Sequence, residues 1–450
     1  MGFEFYFDLI KSFGDKIAVV YKDNKYSYNN LLEEINSMKK FLLANNVKNN
    51  EIVSILSDYS FRSIALFFAL IENRNIIVPI TSKIDNEITE RIIESYSDRK
   101  IILTEESIQI ETVSDGREKH KLLKEVQDKN NAGLILFSSG STGKPKAMVH
   151  NLDNLVESYK DKKPKDQIML VFLMFDHIGG LNTLFNALSM GSTIVIPENR
   201  DAKYICTMIA KHKIGILPAS PTFLNLILMS EAHKDLDLSS LSLITYGTEP
   251  MPESLLTKLQ VVFPNVKFLQ TFGTSETGIT KTSSKSSTST LIKINDPNTE
   301  YKIVEGELWL KSKTQVLGYL NATMDNFTED GWYKTGDLVE LADDGYLRIV
   351  GRIKELINVG GQKVLPEEVE KILLDMPEIA DCMVFGEKNA ITGQCVAADV
   401  VLKEGIEPKS IRSLVRNFCM DKLDSYKIPA KITVVDKTNF NDRFKKIRRK

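Results

Sequence analysis

The feature that most constrains the fold of this chain is a repeated rhythm of short apolar strands and longer helical patterns. Ile17–Tyr21 is apolar and β-branched, Asp23-Asn24-Lys25 reads as a turn, and Tyr26–Tyr28 reads as the returning strand of a hairpin. Asn29 or Asn30 is placed to cap a helix running to about Asn45, with Leu32, Ile35, Met38 and Leu42 on one face. Glu51–Leu56 reads as a strand, Ser60–Glu72 as a buried helix and Ile76–Ile80 as a strand. The rhythm returns at Gly133–Phe137, Gln167–Val171, Thr193–Ile196, Ile214–Leu217, Leu243–Tyr246 and Val266–Thr271, with helical patterns between most of them. Strands separated by helices favour parallel sheets covered by helices, so the fold class expected is α/β with packed parallel or mixed sheets.

Two shifts in texture divide the chain. Lys281–Thr290 is almost entirely Ser, Thr and Lys, which suits a solvated loop. After Asp337 come turns and short strands: Asp343-Asp344-Gly345, then Tyr346–Val350, then Gly351. A boundary near Arg352–Lys354 divides the chain into a large N-terminal unit, 1–350, and a small α+β unit, 351–450. The second unit reads as helix (Pro366–Leu374), strand (Asp381–Phe385), strand (Gln394–Leu402) and helix (Lys409–Lys422).

Composition excludes some function classes. The 58 basic and 60 acidic residues leave a net charge of −2, which argues against a chain built to coat nucleic acid. The longest apolar runs, Ile64–Ile71 and Ile168–Phe175, fall well short of the roughly 18 residues a membrane span needs. No CxxC pair occurs among Cys206, Cys382, Cys395 and Cys419, and the N-terminus lacks the basic flank of an export signal. Reduced thiols and a cytoplasmic location are therefore expected. The histidines show no metal-ligand spacing.

The strongest local signal runs from Leu134 to Lys146. The apolar strand Leu134-Ile135-Leu136-Phe137 enters Ser138-Ser139-Gly140-Ser141-Thr142-Gly143, followed by Lys144-Pro145-Lys146. Glycines let backbone N–H groups turn toward an anion, hydroxyls donate further hydrogen bonds, and lysines add charge, which together suit a polyphosphate. The spacing is not that of a Walker P-loop, because Gly143-Lys144 is followed by Pro145.

This segment resembles the phosphate-binding signature of the AMP-forming, adenylate-forming enzymes, the superfamily of acyl-CoA synthetases and AMP-dependent ligases. Further motifs follow in that family's order. Gln270-Thr271-Phe272-Gly273-Thr274-Ser275-Glu276-Thr277 is similar to its aromatic-Gly-x-Thr-Glu motif. Trp332-Tyr333-Lys334-Thr335-Gly336-Asp337 is similar to its Tyr-x-Thr-Gly-Asp motif, with Gly306-Glu307-Leu308-Trp309 and Gly318-Tyr319 between the two. Gly351-Arg352-Ile353-Lys354-Glu355, then Gly360-Gly361, resemble its hinge region. Ala147 stands where the family usually has Gly, Ser275 where it has Thr, and Phe272 where Tyr is commoner.

The resemblance implies a large N-terminal domain with a mobile C-terminal cap, and a set of site residues. ATP or AMP would be held by Ser138, Ser139, Gly140, Ser141, Thr142, Gly143, Lys144 and Lys146. Gly247, Thr248 and Glu249, from a Gly-x-Glu-Pro-type loop, would line the nucleotide and acyl pocket. Phe272 offers a face for adenine, beside Gly273 and Ser275, or is a core aromatic. Asp337 suits the ribose hydroxyls and Arg352 the ribose or phosphate. Glu276 is the carboxylate that would hold Mg²⁺, which takes hard oxygen ligands and few protein groups. His177 would face the acyl carboxylate or cap a helix, with Asp176, Gly179 and Gly247 in the acyl pocket. In amino-acid-activating relatives a Phe-Asp pair here anchors the substrate ammonium, but the following His-Ile-Gly-Gly looks more like acyl and aryl ligases. A substrate without an α-amino group is therefore expected. The basic segment from Arg443 ends in a pattern similar to the family's Gly-Lys-Ile-x-Arg, which aligns Lys446 as the adenylation lysine and puts Lys445 where the family has Gly. Lys354 would be the hinge residue, and the Gly360-Gly361 face would admit a pantetheine arm.

The implied reaction joins a small-molecule carboxylic acid to a thiol at the expense of Mg·ATP. The acceptor is CoA in the leading reading, or the phosphopantetheine of an acyl carrier protein in the alternative. A non-catalytic nucleotide-binding or nucleic-acid-binding protein is a third reading, and the near-neutral charge opposes its nucleic-acid form.

Overall fold

The computed structural model describes residues 3–138, 144–441 and 443–448. Among them, one seven-stranded sheet runs in the order Lys267–Gln270, Leu243–Tyr246, Ile216–Ala219, Ile168–Leu170, Thr193–Ile196, Ile17–Tyr21, Asn24–Ser27. Its neighbours are parallel except for the final hairpin. A second seven-stranded sheet has a parallel centre, Gly133–Ser138, Ile76–Ile80, Ile52–Leu56 and Arg99–Leu103, with antiparallel strands at both edges. The expected mixed α/β class is thus observed.

The two sheets share one core. Helix Phe61–Glu72 is buried at every residue from Ser63 to Ile71. A helix apolar all round must be covered all round, and its cluster takes in Val19 and Ile194 from the first sheet and Val53, Ile77 and Leu134 from the second. Helix Ile178–Ser189 joins the same cluster. Its position puts the turn at its N-terminus beside the ends of the parallel strands.

A six-stranded antiparallel sheet follows in sequence and includes Glu307–Ser312, Tyr333–Leu341 and Leu347–Arg352. The last two pair so that Asp337 lies opposite Arg352. After a short helical turn, Ile353–Glu355, the sheet containing Ile379–Asn389, Gly393–Leu402 and Lys431–Val434 builds a separate core with helices Pro366–Leu374 and Ile411–Met420.

Several boundaries differ from the sequence reading. Ser27, not Asn29 or Asn30, caps the second helix: its Oγ accepts from the Asn30 N–H, and the Asn30 side chain accepts from the Ser27 N–H. Tyr28 is therefore the first helical residue and not a strand end. Helix Glu4–Phe13 was not foreseen. The Ser/Thr/Lys stretch contains a strand, Thr282–Ser284, paired with Ile292–Ile294. Its polar side chains hid that strand, because backbone pairing at a sheet edge needs no apolar face.

Phe68 packs against the rings of Phe3 (5.4 Å) and Tyr6 (5.9 Å) inside this shared core. Phe68→Ala should destabilise the large unit by about 3–5 kcal/mol, read as a lower urea midpoint for its unfolding.

Candidate active site

Parallel strands of the first sheet deliver loops to one crevice, the usual position for a site in an open α/β sheet. Strand Leu243–Tyr246 leads into Gly247-Thr248-Glu249, and strand Lys267–Gln270 leads into Thr271 and the hairpin that begins at Phe272. The two loops nearly touch at Gly247, where an added Cβ would lie 2.8 Å from the Thr271 carbonyl oxygen. Thr248 takes φ = 73°, a strained conformation for a β-branched residue.

A cavity of about 560 Å³ opens here. Ser138, Lys146, His177, Gly179, Gly247 and Thr248 line it, as do Phe272, Gly273, Ser275, Glu276, Arg352 and Lys354. Much of the expected site therefore converges on one space. Ser139, Gly140, Ser141, Thr142 and Gly143 lie outside the described residues.

Phe272 is 7% exposed and belongs to a core cluster with Ile292, Leu308 and Val339, and it also borders the cavity. Beside it, Asp337 is buried and accepts a 2.8 Å hydrogen bond from Arg352 Nε. Burial pushes the Asp337 carboxyl up, against the pull of Arg352 and Lys445. On another wall, Glu276 Oε1 accepts from the Tyr319 hydroxyl at 3.1 Å, and the Lys146 ammonium stands 4.9 Å from the centre of the Tyr319 ring. Tyr319 thus links the phosphate-loop lysine to the candidate Mg²⁺ carboxylate, and its place in the Gly318-Tyr319 motif was the available signal for it. One carboxylate suits Mg²⁺ bound chiefly through phosphate oxygens and water. Among the described residues no cluster of three His, Cys, Asp or Glu could hold a metal by itself.

His177 caps helix Ile178–Ser189, its Nδ1 accepting from the Gly179 N–H at 2.9 Å. Burial, aided by Arg443 and Lys445, pushes the imidazole down to about 3. At neutral pH the ring is uncharged, and with Nδ1 accepting, its proton sits on Nε2. The helix cap and the cavity wall are both served by one side chain.

The structure corrects other expectations. Asp176 does not line the cavity: it is 3% exposed, and its Oδ2 lies 3.2 Å from Arg91 Nη1 and 3.7 Å from Arg443 Nη2. Neither arginine was foreseen, because the three residues meet only by folding. Lys144 is exposed and away from the wall. Glu249 Oε1 accepts from the Thr222 N–H at 2.8 Å, and its side chain faces a separate cavity of about 400 Å³ between the two units. Gly360 and Gly361, with φ of 57° and 92°, form the tight turn between Ile357–Val359 and Gln362–Val364. A two-residue hairpin of this type demands positive φ, and the pair lies away from the main cavity.

Lys446 is the largest departure. Its Nζ donates to the Cys382 carbonyl and stands 3.5 Å from Asp381 and 3.8 Å from Glu370, inside the small unit. Burial opposes its charge, but those two carboxylates more than offset that and hold the ammonium protonated. Lys445 lines the main cavity instead. Burial, then Arg352, pushes the Lys445 ammonium down to about 8, with Glu355 and Asp337 acting in the opposite sense and Lys354 adding to the fall. The residue before it, Phe444, has φ = 52°, the left-handed conformation that glycine adopts most readily. Phe444 thus takes the backbone geometry of a glycine, and the lysine that follows it is Lys445.

The AMP-binding enzyme family matches residues 8–320, and its C-terminal domain matches residues 368–443. The chain belongs to the adenylate-forming superfamily. This AMP-binding enzyme is 28% identical to a 2-succinylbenzoate–CoA ligase of Bacillus licheniformis, over 97% of this chain and 96% of that protein. It is 30% identical to a 4-coumarate–CoA ligase-like protein of Arabidopsis thaliana, over 79% of this chain but only 66% of that protein. In fold it is similar to the o-succinylbenzoate CoA synthetase of Bacillus subtilis in complex with an acyl-adenylate (TM-score 0.76, 22% identity, 99% and 96% of the two chains). It is also similar to the anthranilate CoA ligase AuaEII with anthranoyl-AMP (TM-score 0.82, 20% identity, 98% and 95%). No helix among the described residues is long and apolar enough to cross a membrane.

Asp337, expected to meet the ribose hydroxyls, does not itself line the cavity but holds Arg352, which does. Hydrogen bonds to a charged group are worth about 1.5–3 kcal/mol, so Asp337→Asn should weaken AMP binding by roughly ten- to a hundredfold, read by titration calorimetry.

Proposed function

We propose that the protein is an AMP-forming acid–thiol ligase that converts a carboxylic acid to its acyl-adenylate with Mg·ATP and passes the acyl group to CoA. The observation that carries this reading is Lys445 on the same cavity as Glu276, His177 and Arg352, the last held by Asp337. In the first step a substrate carboxylate oxygen bonds to the α-phosphorus and the bond to pyrophosphate breaks. In the second, a thiol sulfur bonds to the acyl carbon, the bond to AMP breaks and the thiol proton is released. The chain's part is positioning and charge neutralisation. Lys445 and Arg352 face the charge that builds on the phosphate and carboxylate, and Asp337 holds Arg352. Neutral His177 donates from Nε2 toward the acid. Lys146 and Glu276 stand at the pyrophosphate end, where Mg²⁺, when bound, spreads phosphate charge. The choice of CoA as thiol rests on the CoA ligases among the relatives.

The acid we propose lacks an α-amino group, because Asp176, the carboxylate expected to anchor an ammonium, is buried against two arginines instead. The unit after residue 350 would turn about Lys354 between the steps, withdrawing Lys445 and bringing the Gly360-Gly361 turn to the cavity. Lys354→Pro, which restricts the backbone, should spare adenylation and block thioester formation. Full-rate thioester formation in that variant would overturn the rotation.

The decisive measurement is acid-dependent ATP–pyrophosphate exchange over fatty, aryl, hydroxy and amino acids. Exchange with none would overturn the proposal, and exchange with amino acids alone would overturn the substrate reading. Lys445→Ala should cost about a hundredfold or more in exchange with little change in Tm. Lys446→Ala should chiefly lower Tm, since it takes the cation from buried Asp381 and leaves Glu370 with Arg448 alone. Lys445 works as an ammonium and its proton is already weakly held. The kcat/KM for ATP should therefore fall as pH rises through about 8, and the residual rate of Lys445→Ala should lack that limb.

A further inference from the structure

We propose that Arg443 and Phe444 form a docking element that seats on the large unit and positions Lys445, with Asp176 and the Phe172–Phe223 cleft as its receptor. This rests on the adenylation reading, which it extends to residues outside the reacting centre.

The segment 443–448 has two faces. Lys446 and Arg448 point into the small unit, Lys446 toward Asp381 and Glu370, Arg448 toward Glu355, Glu367 and Glu370. Arg443 and Phe444 point the other way. Arg443 Nη2 lies 3.7 Å from Asp176 Oδ2 and donates to the Phe137 carbonyl at 3.4 Å. The Phe444 ring lies 5.2 Å from Phe172 and 5.0 Å from Phe223, both fully buried in the core of the first sheet. The Phe444 carbonyl accepts from Ser220 Oγ at 2.8 Å. Lys445 comes next, in the cavity.

Two details mark this as a fitted contact. Asp176 is buried with Oδ1 unpartnered, so it depends on Arg91 and Arg443 for its compensation. Arg91 is already fixed by its own helix, Asp85–Glu94, and its guanidinium stacks 5.7 Å from the Phe137 ring. Arg443 is the half of the pair that can leave. Phe444 holds a left-handed backbone that an aromatic residue rarely adopts, which is sustained only by tight surroundings. Its ring occupies the cleft while its backbone turns Lys445 toward Arg352. A lysine on a long flexible stem gains most from such anchoring, because reaction requires it within a narrow range of positions. Asp176 is thus a receptor for a protein arginine, at a position where a free carboxylate would have served a substrate ammonium.

The test compares Arg443→Gln, Asp176→Asn and Phe444→Gly with the parent protein. Hydrogen exchange of the 443–447 amides in the free protein should speed up about tenfold in each variant. The kcat of acid-dependent pyrophosphate exchange should fall about tenfold with KM for ATP unchanged, while thioester formation from supplied acyl-adenylate stays within about twofold. Asp176→Asn and Arg443→Gln combined should be no worse than either alone, and Asp176→Glu should recover much of the loss. Unchanged amide protection, or equal losses in both half-reactions, would overturn the proposal. If Asp176→Asn fails to fold, Phe444→Gly, which alters only the docked segment, decides. If the parent exchanges pyrophosphate with no acid, the function fails, and amide protection alone decides whether the docking contact stands.

Discussion

The buried ion pair between Asp337 and Arg352 is the contact on which the rest of the site depends. The two residues face each other on paired antiparallel strands, at the last turn of regular sheet before Ile353–Glu355. A carboxylate this buried is costly unless a cation is held against it, and a guanidinium on the opposite strand meets that need with little loss of freedom. The pair then sets the local field. It presents Arg352 to the cavity, and Arg352, with burial and against the pull of Asp337, weakens the hold of Lys445 on its proton. The cavity and the junction at Ile353–Glu355 are therefore one electrostatic structure.

Around that pair, neighbouring charges are used in opposite ways. Lys445 and Lys446 are adjacent in sequence and both partly buried, yet burial and Arg352 loosen the proton on one while Asp381 and Glu370 tighten it on the other. The first lines the main cavity and the second pairs with carboxylates inside the small unit. Only the direction of each side chain separates them, and the left-handed turn at Phe444 sets that direction.

Much of the fold was legible in advance because its signals are local. Apolar, β-branched runs such as Ile76–Ile80 and Leu243–Tyr246 are strands wherever they occur between helices, and Phe61–Glu72 is too uniformly apolar to be anything but buried. Where a local signal was weak, the reading slipped. Thr282–Ser284 is a strand through backbone pairing alone, and Ser27 won the cap from two asparagines because its hydroxyl and the Asn30 amide satisfy each other. In the site, motif order brought Phe272, Glu276, Arg352 and His177 to one cavity. It missed Tyr319 as a partner of Glu276, and it carried Lys446 and Asp176 to the wrong surroundings.

By itself, then, the sequence determined which chemical groups are present and roughly which loops carry them, because strand endings and motif spacing are properties of neighbours along the chain. Only the tertiary structure decided where each group sits. Whether Asp176 lines the cavity or lies against arginines, and whether Lys445 or Lys446 lines the cavity, depends on charges brought together from distant parts of the chain. Burial and electrostatic pairing act through space, so the final assignment waited on the fold.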